Sequence, residues 1–439
     1  MFQGADKYKL TQKTKIRVIF VFIYWLIYEN FLLLNPTYFF GPIGTGLVYS
    51  YKFFFPFFFL FSTGFPYNQT LKKATVFGSI SGAFLLLFWS VIPTFLFGDL
   101  ISWVKLIPPF IFYVASISFF LKNKYAILFL SKIFIGYVIL TLVQYFSLYL
   151  FEVYAPQAEG ELTGPMGLLG NTRSRINLGA IPIFRLCGFW IEPSNASATA
   201  FASFFMAKLI YYFERDKKWV YLSRLCLLAG CLTLSNAGYL GFSFALLFGV
   251  FFSVDPKKGK YWFRKLPLII TILAISFMAV IGRSYFVEIP ITQNNYFIMG
   301  MAGIRSAHLD KKNFDPSDGR LELMNYTTSK TMENVWGLGI QTVGKKLGKE
   351  GKKIRISASA PLYWLLLSGI PGLLFLLLRD FSVYISLPSR IKKFPSMIYV
   401  VQAFLCILVQ QLSYGSWMDP NYLIYLSLLC AGFTLKKDR

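Results

Sequence analysis

Charged side chains are scarce in this chain. They make up 15% of its 439 residues, whereas hydrophobic side chains make up 56%. Soluble domains carry about 25% charged residues. The shortage of charge, together with a mean hydropathy of +0.54, excludes an ordinary soluble globular protein.

Acidic residues, cysteines and histidines are scarce as well. Asp and Glu total 20 against 44 Lys and Arg, and the chain has 5 cysteines and 1 histidine, His308. The cysteines are scattered, mostly in apolar runs and without metal-ligand spacing, which is typical of small apolar residues rather than of disulfides or metal ligands. The carboxylates form no convincing ligand cage, since the best pattern, Asp315–Asp318, is weak. We therefore expect no metal site and no cofactor.

What the chain does have is a series of long apolar runs. Runs of about 18 or more apolar residues recur, and each can cross a hydrocarbon core of about 30 Å as a helix. Inside a bilayer only helices and closed barrels satisfy all backbone hydrogen bonds, and these runs lack the alternation of barrel strands. The sequence therefore predicts an all-α, polytopic membrane protein.

The runs predict about twelve transmembrane helices in a single membrane domain covering residues 1–439. The predicted spans lie near 17–34, 44–63, 74–97, 100–121, 125–151, 194–213, 218–234, 237–254, 266–282, 361–378, 397–413 and 419–434.

The net charge of +24 follows the pattern of a membrane protein rather than that of a nucleic-acid-binding protein. Every second predicted connection is basic, and the tenth, for example, begins with Arg379. Since Lys and Arg collect in cytoplasmic loops, both termini are predicted to be cytoplasmic. Two long loops, roughly 152–193 and 283–360, then lie on the outer side of the membrane, and the second is the large loop before the tenth span.

These two outer loops break the charge rule because both are basic. Long loops can be translocated whatever their charge, so a merely solvated surface is one interpretation. The other is that the outer face binds an anion, either a phosphorylated lipid or an acidic sugar. The arginines concerned include Arg173, Arg175, Arg185, Arg283, Arg305 and Arg320.

The stretch "FRLCGFWIEPSNASATAFASFF" (Phe184–Phe205) places Arg185 and Glu192 just outside the sixth span. Pro193 suits the first turn of a helix, and the partial positive charge of that helix terminus adds to the charge of Arg185. Together they suit a diphosphate. The alternative is an ion pair between Arg185 and Glu192 that only holds the loop.

Three further stretches attract attention. "CLTLSNAGYLGFSFALL" is a polar turn between the seventh and eighth spans, and "ISASAPLYWLLLSGIPGLLFLLL" enters the tenth. "SDGRLELMNYTTSKTMENVWGLGI", in the second outer loop, predicts a helix that is capped at Ser317 or Asp318. Its apolar side includes Leu321 and Val335, and it ends at Gly337.

The order of these motifs resembles that of a known superfamily. "R-x-x-G-F-W-x-E-P" before a membrane helix is followed by "L-T-L-S-N-A-G-Y-L-G", "D-G-R-L-E-L…E-N-V-W-G-L-G" and "Y-W-L-L-L-S-G-I-P-G". The chain thereby resembles the bacterial O-antigen polymerase and O-antigen ligase superfamily over about residues 180–380. The first five spans match only in being hydrophobic.

The resemblance implies a metal-independent glycosyltransferase that works at the periplasmic face of the inner membrane. Its substrates would be undecaprenyl-diphosphate-linked glycans, used to build lipopolysaccharide O-antigen or a related surface polysaccharide. By this resemblance, Arg185 and Arg320 match the arginines of the first and second large periplasmic loops, which would contact the substrate diphosphate or sugar.

The chain departs from its apparent relatives in two places. Ser235-Asn236 stands where relatives often have Ser-Arg, and "SASAP" stands where ligases carry a His-Asn pair. The only histidine, His308, lies well upstream. The first departure implies that the role of that arginine is absent or moved, and the missing His-Asn pair favours a polymerase over a ligase.

Glycosyl transfer also needs a group that deprotonates the acceptor hydroxyl. Glu192, Asp318 and His308 are the candidates, and Glu192 is the first choice because it lies beside the predicted helix terminus. Lys52 and Lys105 fall in the outer halves of predicted spans, where they are expected to face a cavity or a partner. Snorkelling to the membrane interface is the alternative for both lysines.

The predicted catalytic residues are therefore Glu192, Arg185 and Arg320, and the predicted substrate-binding residues are Arg173, Arg175, Arg283, Arg305, His308, Asp318, Lys52 and Lys105. The expected partners are a lipid-linked glycan donor and acceptor, membrane lipid and a chain-length regulator, but no nucleic acid. A ligase, or a flippase of lipid-linked oligosaccharides, remains the competing interpretation. Two related halves, typical of many solute transporters, are not visible in the sequence.

Overall fold

The structure is a computed structural model of the chain. It describes residues 10–28, 36–65, 74–98, 100–150, 175–178, 181–184, 186, 193–233, 235–252, 270, 328–339, 346–347, 352–353, 360–413 and 418–431.

Helices dominate the described part. They are α1 (Gln12–Tyr28), α2 (Pro36–Thr63), α3 (Ala74–Phe97), α4 (Leu100–Val104), α5 (Ile107–Lys122), α6 (Ala126–Leu150), α7 (Pro193–Glu214), α8 (Lys218–Leu232), α9 (Asn236–Phe252), α10 (Ala360–Tyr384), α11 (Leu387–Lys393), α12 (Met397–Ser413) and α13 (Pro420–Ala431).

Two small antiparallel hairpins lie in the regions predicted as outer loops. β1 (Arg175–Leu178) pairs with β2 (Ile181–Phe184), and Arg175 lies opposite Phe184. β3 (Lys346–Leu347) pairs with β4 (Lys352–Lys353).

The helices are those of a membrane protein. Within the described residues, 5 helical stretches are long and apolar enough to cross a bilayer: Ala74–Phe97, Leu100–Lys122, Ala126–Phe146, Ser194–Glu214 and Ala360–Ile391. Helices also occupy the other predicted spans, except that only Ile270 of the ninth is described. The chain is therefore a helical membrane protein, and the total of about twelve spans stays a prediction.

Helix α7 contains the most buried of these five stretches. Its apolar window is 83% buried, against 44% for α3, whose outward face carries Phe88 and Phe95. Small residues let neighbouring helices approach α7 closely: a Cβ atom on Gly238 of α9 would lie 2.1 Å from the hydroxyl oxygen of Ser197. Glycine at position 238 therefore allows α9 to pack closely against α7.

Polar contacts bring several helix ends together at one end of the bundle. Arg17 in α1 donates to the carbonyl of Ser62, and Lys122 donates to the carbonyl of Thr63 at the end of α2. Lys132 in α6 pairs with Glu214 at the end of α7, with 2.5 Å between nitrogen and oxygen. We call this the basic end, and the other the opposite end.

Arg379 corrects the predicted limits of the tenth span. The charge pattern assigned it to a basic connection after residue 378, but α10 continues to Tyr384 and Arg379 is fully buried within it. Its Nε atom lies 2.8 Å from Oδ1 of Asp380, which is also buried. The charge rule failed here because it treats every arginine as a loop residue, whereas this one is neutralised by the next residue.

Helix α10 is interrupted at Gly369, whose φ of 68° and ψ of −168° are not helical. Such a break frees backbone groups that a membrane interior cannot hydrate. Trp89 of α3 satisfies one of them, since its indole nitrogen donates to the carbonyl of Ser368 at 2.8 Å.

The segment 335–339 supplies hydrogen-bond partners for other backbone groups at this break. The backbone nitrogens of Leu338 and Gly339 donate to the carbonyls of Leu366 and Leu367 at 2.9 and 2.8 Å. In the reverse direction, Ile370 donates to the carbonyl of Val335 at 3.0 Å. The motifs "ENVWGLG" and "LLLSGIPG", recognised separately in the sequence, are thus one structural unit.

The close approach of the segment 335–339 to α10 requires glycine at positions 337 and 369. A Cβ atom on Gly369 would lie 2.1 Å from the carbonyl oxygen of Val335, and one on Gly337 would lie 2.5 Å from that of Leu367. Both glycines have positive φ angles, 68° and 97°, which disfavour any other residue.

The helix predicted within Ser317–Ile340 is only partly correct. The described part has a helical stretch at 328–333, which ends before Val335 rather than at Gly337. Val335 therefore does not belong to the apolar face of that helix, because it lies in the segment that docks on α10.

Candidate functional site

A cluster of polar side chains lies where α12, α13 and α7 meet. Helix α13 has 12 residues, which corresponds to ~18 Å and is shorter than a hydrocarbon core of about 30 Å. Its last turn is at the basic end, because Cys430 contacts the carbonyl of Thr75 in the first turn of α3 at 4.0 Å.

The first turn of α13 therefore lies deep in the bundle. Helix α3 starts beside the end of α13 and has 24 residues, or ~36 Å. The hydroxyl of Tyr422, in the first turn of α13, donates a hydrogen bond to Asp380. The carbonyl oxygen of the preceding residue, Arg379, accepts one from Ser79 of α3. Pro420, Asn421 and Tyr422, which form the first turn of α13, are all buried.

Six polar residues surround this point, and we call them the recess: Asn195 and Thr199 of α7, Gln410 and Gln411 of α12, and Asp419 and Asn421 at the start of α13.

Amide side chains connect α7 with the end of α12. Gln410 donates its Nε2 hydrogen to Oδ1 of Asn195. Gln411 donates to Oε1 of Gln410 at 2.8 Å and to Oδ2 of Asp419 at 3.1 Å. A glutamine pair at the end of α12 thereby fixes both the start of α7 and the carboxylate of Asp419.

Asp419 caps α13. Its Oδ1 accepts the backbone N–H of Asn421 at 2.9 Å, which is the usual role of an aspartate before the first helical turn. The partial positive charge of the helix terminus stabilises the ionised carboxylate. This explains how a carboxylate is accommodated between two apolar helices.

Asn421 is the incompletely satisfied member of the recess. Its side chain donates to the hydroxyl of Thr199 at 3.2 Å, whereas its Oδ1 atom is buried and has no hydrogen-bond partner among the described residues. The residue is 7% exposed. A buried polar atom without a partner costs about 1–3 kcal/mol, and a ligand that bonds to it would offset that cost.

The chemistry of the recess suits a polyhydroxylated ligand. Amides offer both donors and acceptors, and the carboxylate of Asp419 offers acceptors only. A hydroxyl group can donate and accept hydrogen bonds, so it can bond to the amides and to the carboxylate. The carboxylate can also accept a proton in a reaction. Within the described residues no group of three His, Cys, Asp or Glu is placed to hold a metal ion.

The first outer-loop motif is connected with the same end of the bundle. Leu186, the residue after Arg185, is buried, and its N–H donates to the carbonyl of Leu232 at the end of α8 at 2.9 Å. The "SNAG" turn that follows α8 packs on α7 through Gly238 and Ser197. Two of the motifs recognised in the sequence therefore converge at the start of α7, next to the recess.

Most of the predicted site residues lie outside the described residues, and the structure does not test them. These are Glu192, Arg185, Arg320, Arg173, Arg283, Arg305, His308 and Asp318.

Three predicted site residues are described. Arg175 is the first residue of β1. Lys52 donates to the carbonyl of Tyr28 at 3.4 Å, and its ammonium lies 5.3 Å from the centre of the Tyr28 ring, so it contacts the end of α1. Lys105 lies within the candidate span Leu100–Lys122, as expected, and it is exposed in the turn between α4 and α5. The prediction missed this turn because the apolar run is continuous through it.

Sequence reasoning missed the recess. The signal was present, since Gln410, Gln411, Asp419 and Asn421 are polar residues next to or within predicted spans, and such residues mark functional sites in membrane proteins. "YGSWMD" was interpreted only as an outer connection without basic residues. That α12 and α13 are short, and that Gln410, Gln411 and Asn421 are buried, is information that the sequence pattern did not supply.

The fold and the site together define an α-helical membrane protein with a polar recess inside its bundle. In sequence comparisons the chain matches no protein-family model and no curated protein.

Proposed function

We propose that the protein polymerises oligosaccharide repeat units linked to undecaprenyl diphosphate. In this proposal it resides in the bacterial inner membrane with about twelve spans, cytoplasmic termini and periplasmic loops at 152–193 and 283–360. The reaction is a metal-independent glycosyl transfer at the periplasmic face, as in O-antigen or related surface-polysaccharide synthesis.

The observation that carries the proposal is the recess. Amides and one carboxylate, partly buried at the start of α13, form a site for hydroxyl groups inside a membrane bundle. A lipid-linked glycan would need such a site, because its sugars require polar contacts while its lipid stays in the bilayer. The basic end carries the cationic residues expected on the cytoplasmic side, which would place the recess toward the periplasmic half.

The anionic part of the substrate is assigned to the two outer loops. Arg185 and Arg320 would bind the diphosphate, since arginine forms bidentate hydrogen bonds with phosphate oxygens. Because a departing diphosphate needs positive charge and no proton, arginines can stabilise it without a metal. The contact of Leu186 with α8 supports this role for Arg185, because it holds the neighbouring residue at the same end of the bundle as the recess.

The glycan profile of a deletion strain tests the proposal. A strain that lacks a polymerase should carry one repeat unit on its lipid core, and re-expression of the chain should restore long polymers. Loss of all repeat units would identify a ligase instead, and accumulation of cytoplasmic carrier lipid would identify a flippase.

Transport of a lipid-linked glycan is the second candidate. Interrupted helices and polar groups near the bilayer midplane are typical of secondary transporters, and here α10 is broken at Gly369 while α13 begins deep in the bundle. The same glycan profile separates transport from polymerisation, because a flippase acts before any unit reaches the periplasm.

A further inference from the structure

We propose that the recess is the subsite for the acceptor sugar and that Asp419 is the general base of the transfer. This inference rests on the proposed polymerase function. It assigns the proton transfer to the start of α13 instead of to Glu192, which sequence reasoning favoured.

Asn421 indicates the chemical class of the ligand. One polar atom of its buried amide has no partner among the described residues, while the other bonds to Thr199. If the amide were rotated by half a turn, the unpartnered atom would be a donor instead of an acceptor. A sugar hydroxyl satisfies either orientation, because it both donates and accepts.

Asp419 is held in a fixed orientation, as a catalytic base must be. Oδ1 accepts from the N–H of Asn421 at 2.9 Å and Oδ2 accepts from Gln411 at 3.1 Å. Each oxygen of a carboxylate can accept more than one hydrogen bond, so these two bonds are compatible with a third from a hydroxyl. The side-chain donor at Oδ2, Gln411, is an uncharged amide.

Asp419 precedes the first residue of α13, and Asn421 is the second residue of that helix. Their side chains bond to neighbouring helices, that of Asp419 to Gln411 of α12 and that of Asn421 to Thr199 of α7, so in this proposal one sugar ring contacts both. The acceptor would be positioned by Asn421 and activated by Asp419, which are two separable roles.

The proposed step balances without a further reactant. The acceptor oxygen forms a bond to the anomeric carbon of the donor glycan while the bond between that carbon and the lipid diphosphate breaks. The electron pair of the broken bond leaves with the diphosphate. The proton of the acceptor hydroxyl moves to the carboxylate of Asp419, which later releases it to water.

The test is chain extension by the purified full-length protein in lipid vesicles that contain lipid-linked repeat units. Asp419→Asn keeps the shape and the capping bond but removes the base, so kcat should fall about 10²–10⁴-fold with little change in the acceptor KM. Asp419→Glu should restore part of the rate. Asn421→Leu should instead raise the acceptor KM, because it removes a positioning contact.

Two matched controls accompany these variants. Glu214→Gln removes a carboxylate at the basic end of α7, where it contacts Lys132 and Trp219. Gln402→Met removes a buried amide of α12 whose Nε2 donates to the carbonyl of Ala245 at 2.9 Å. Both should leave kcat and the acceptor KM within about twofold of wild type, because neither lies in the recess.

The outcomes separate this inference from the proposed function. If wild-type protein forms no polymer from lipid-linked repeats, the function itself is wrong. If wild type polymerises and Asp419→Asn retains its kcat, the function stands and the assignment of Asp419 is overturned. In that case Glu192→Gln, measured in the same vesicles, should lose the rate instead. An unchanged acceptor KM in Asn421→Leu would overturn the acceptor subsite.

Discussion

Two buried polar clusters lie one above the other in this bundle, and they differ in how their polar groups are satisfied. Toward the basic end, Arg379 is paired with Asp380, and Tyr422 donates to the same carboxylate at 2.9 Å. In the recess, Asn421 keeps a buried polar atom without a partner among the described residues. Tyr422, the residue after Asn421, connects α13 to the ion pair.

The difference indicates different roles. A buried ion pair with additional hydrogen bonds resembles a structural element, because every further ligand would have to displace an existing bond. A polar site that is incompletely satisfied gains free energy when a ligand supplies the missing bond. Buried charge alone therefore does not identify a binding site in this membrane protein.

The largest expected effect is on Asp380. Asp380→Asn would leave the guanidinium of Arg379 buried and without its counter-charge, which typically costs about 3–5 kcal/mol. Thermal unfolding in detergent, followed by tryptophan fluorescence, should show a large loss of stability or no folded protein. The matched change Asp419→Asn should unfold close to wild type, and equal destabilisation by both would remove the distinction between the clusters.

Replacing both members of the ion pair sharpens the same comparison. The double variant Arg379→Met, Asp380→Leu removes the two charges together, and buried pairs replaced in this way are often neutral or stabilised by about 1–4 kcal/mol. We expect it to recover the stability lost in Asp380→Asn and to support polymerisation. A stable double variant without activity would show that the ion pair has a functional role.

The break in α10 gives a smaller effect. Gly369→Ala forces a side chain into a positive-φ conformation and against the carbonyl of Val335, which we expect to cost about 1–3 kcal/mol. Gly136→Ala is the control, since a Cβ atom there meets nothing within 4 Å. If both alanine variants have the same melting temperature, the segment 335–339 does not dock on α10 as described.

The smallest effect is expected at the exposed connection between α7 and α8. Hydrogen bonds from Lys218 lower the pKa of Asp216 below 3.8, so any stabilisation is present above that pH and is lost as the pH falls through the lowered pKa. The pair is solvent-exposed, and exposed pairs contribute little. Asp216→Asn should therefore leave the melting temperature between pH 5 and 8 unchanged, and a clear shift would indicate an unrecognised contact.

How far the fold could be predicted follows from the range of the interactions involved. The spans at 74–97 and 194–213 were predicted well because hydropathy is a local property. The break at Gly369 was not predicted, because its partners lie in the segment 335–339, some 30 residues earlier in the chain. No local sequence pattern predicts such a contact.

The candidate site shows the same limit. The outer-loop arginines were found as an excess of charge, which is a property of composition and needs no structure. The recess depends on the meeting of three helices, so that Asn195 and Gln410 become neighbours although 215 positions separate them in sequence. Likewise, Arg379 was assigned to a loop because its neutralisation by Asp380 requires burial of both residues.

The central claim is that this membrane protein joins lipid-linked repeat units, and reconstitution tests it most directly. Purified protein in vesicles that contain only undecaprenyl-diphosphate-linked single units, with EDTA present, should produce a ladder of lipid-linked chains and release the carrier diphosphate. Single units that remain unextended in the presence of folded wild-type protein, with or without added magnesium, would contradict the account.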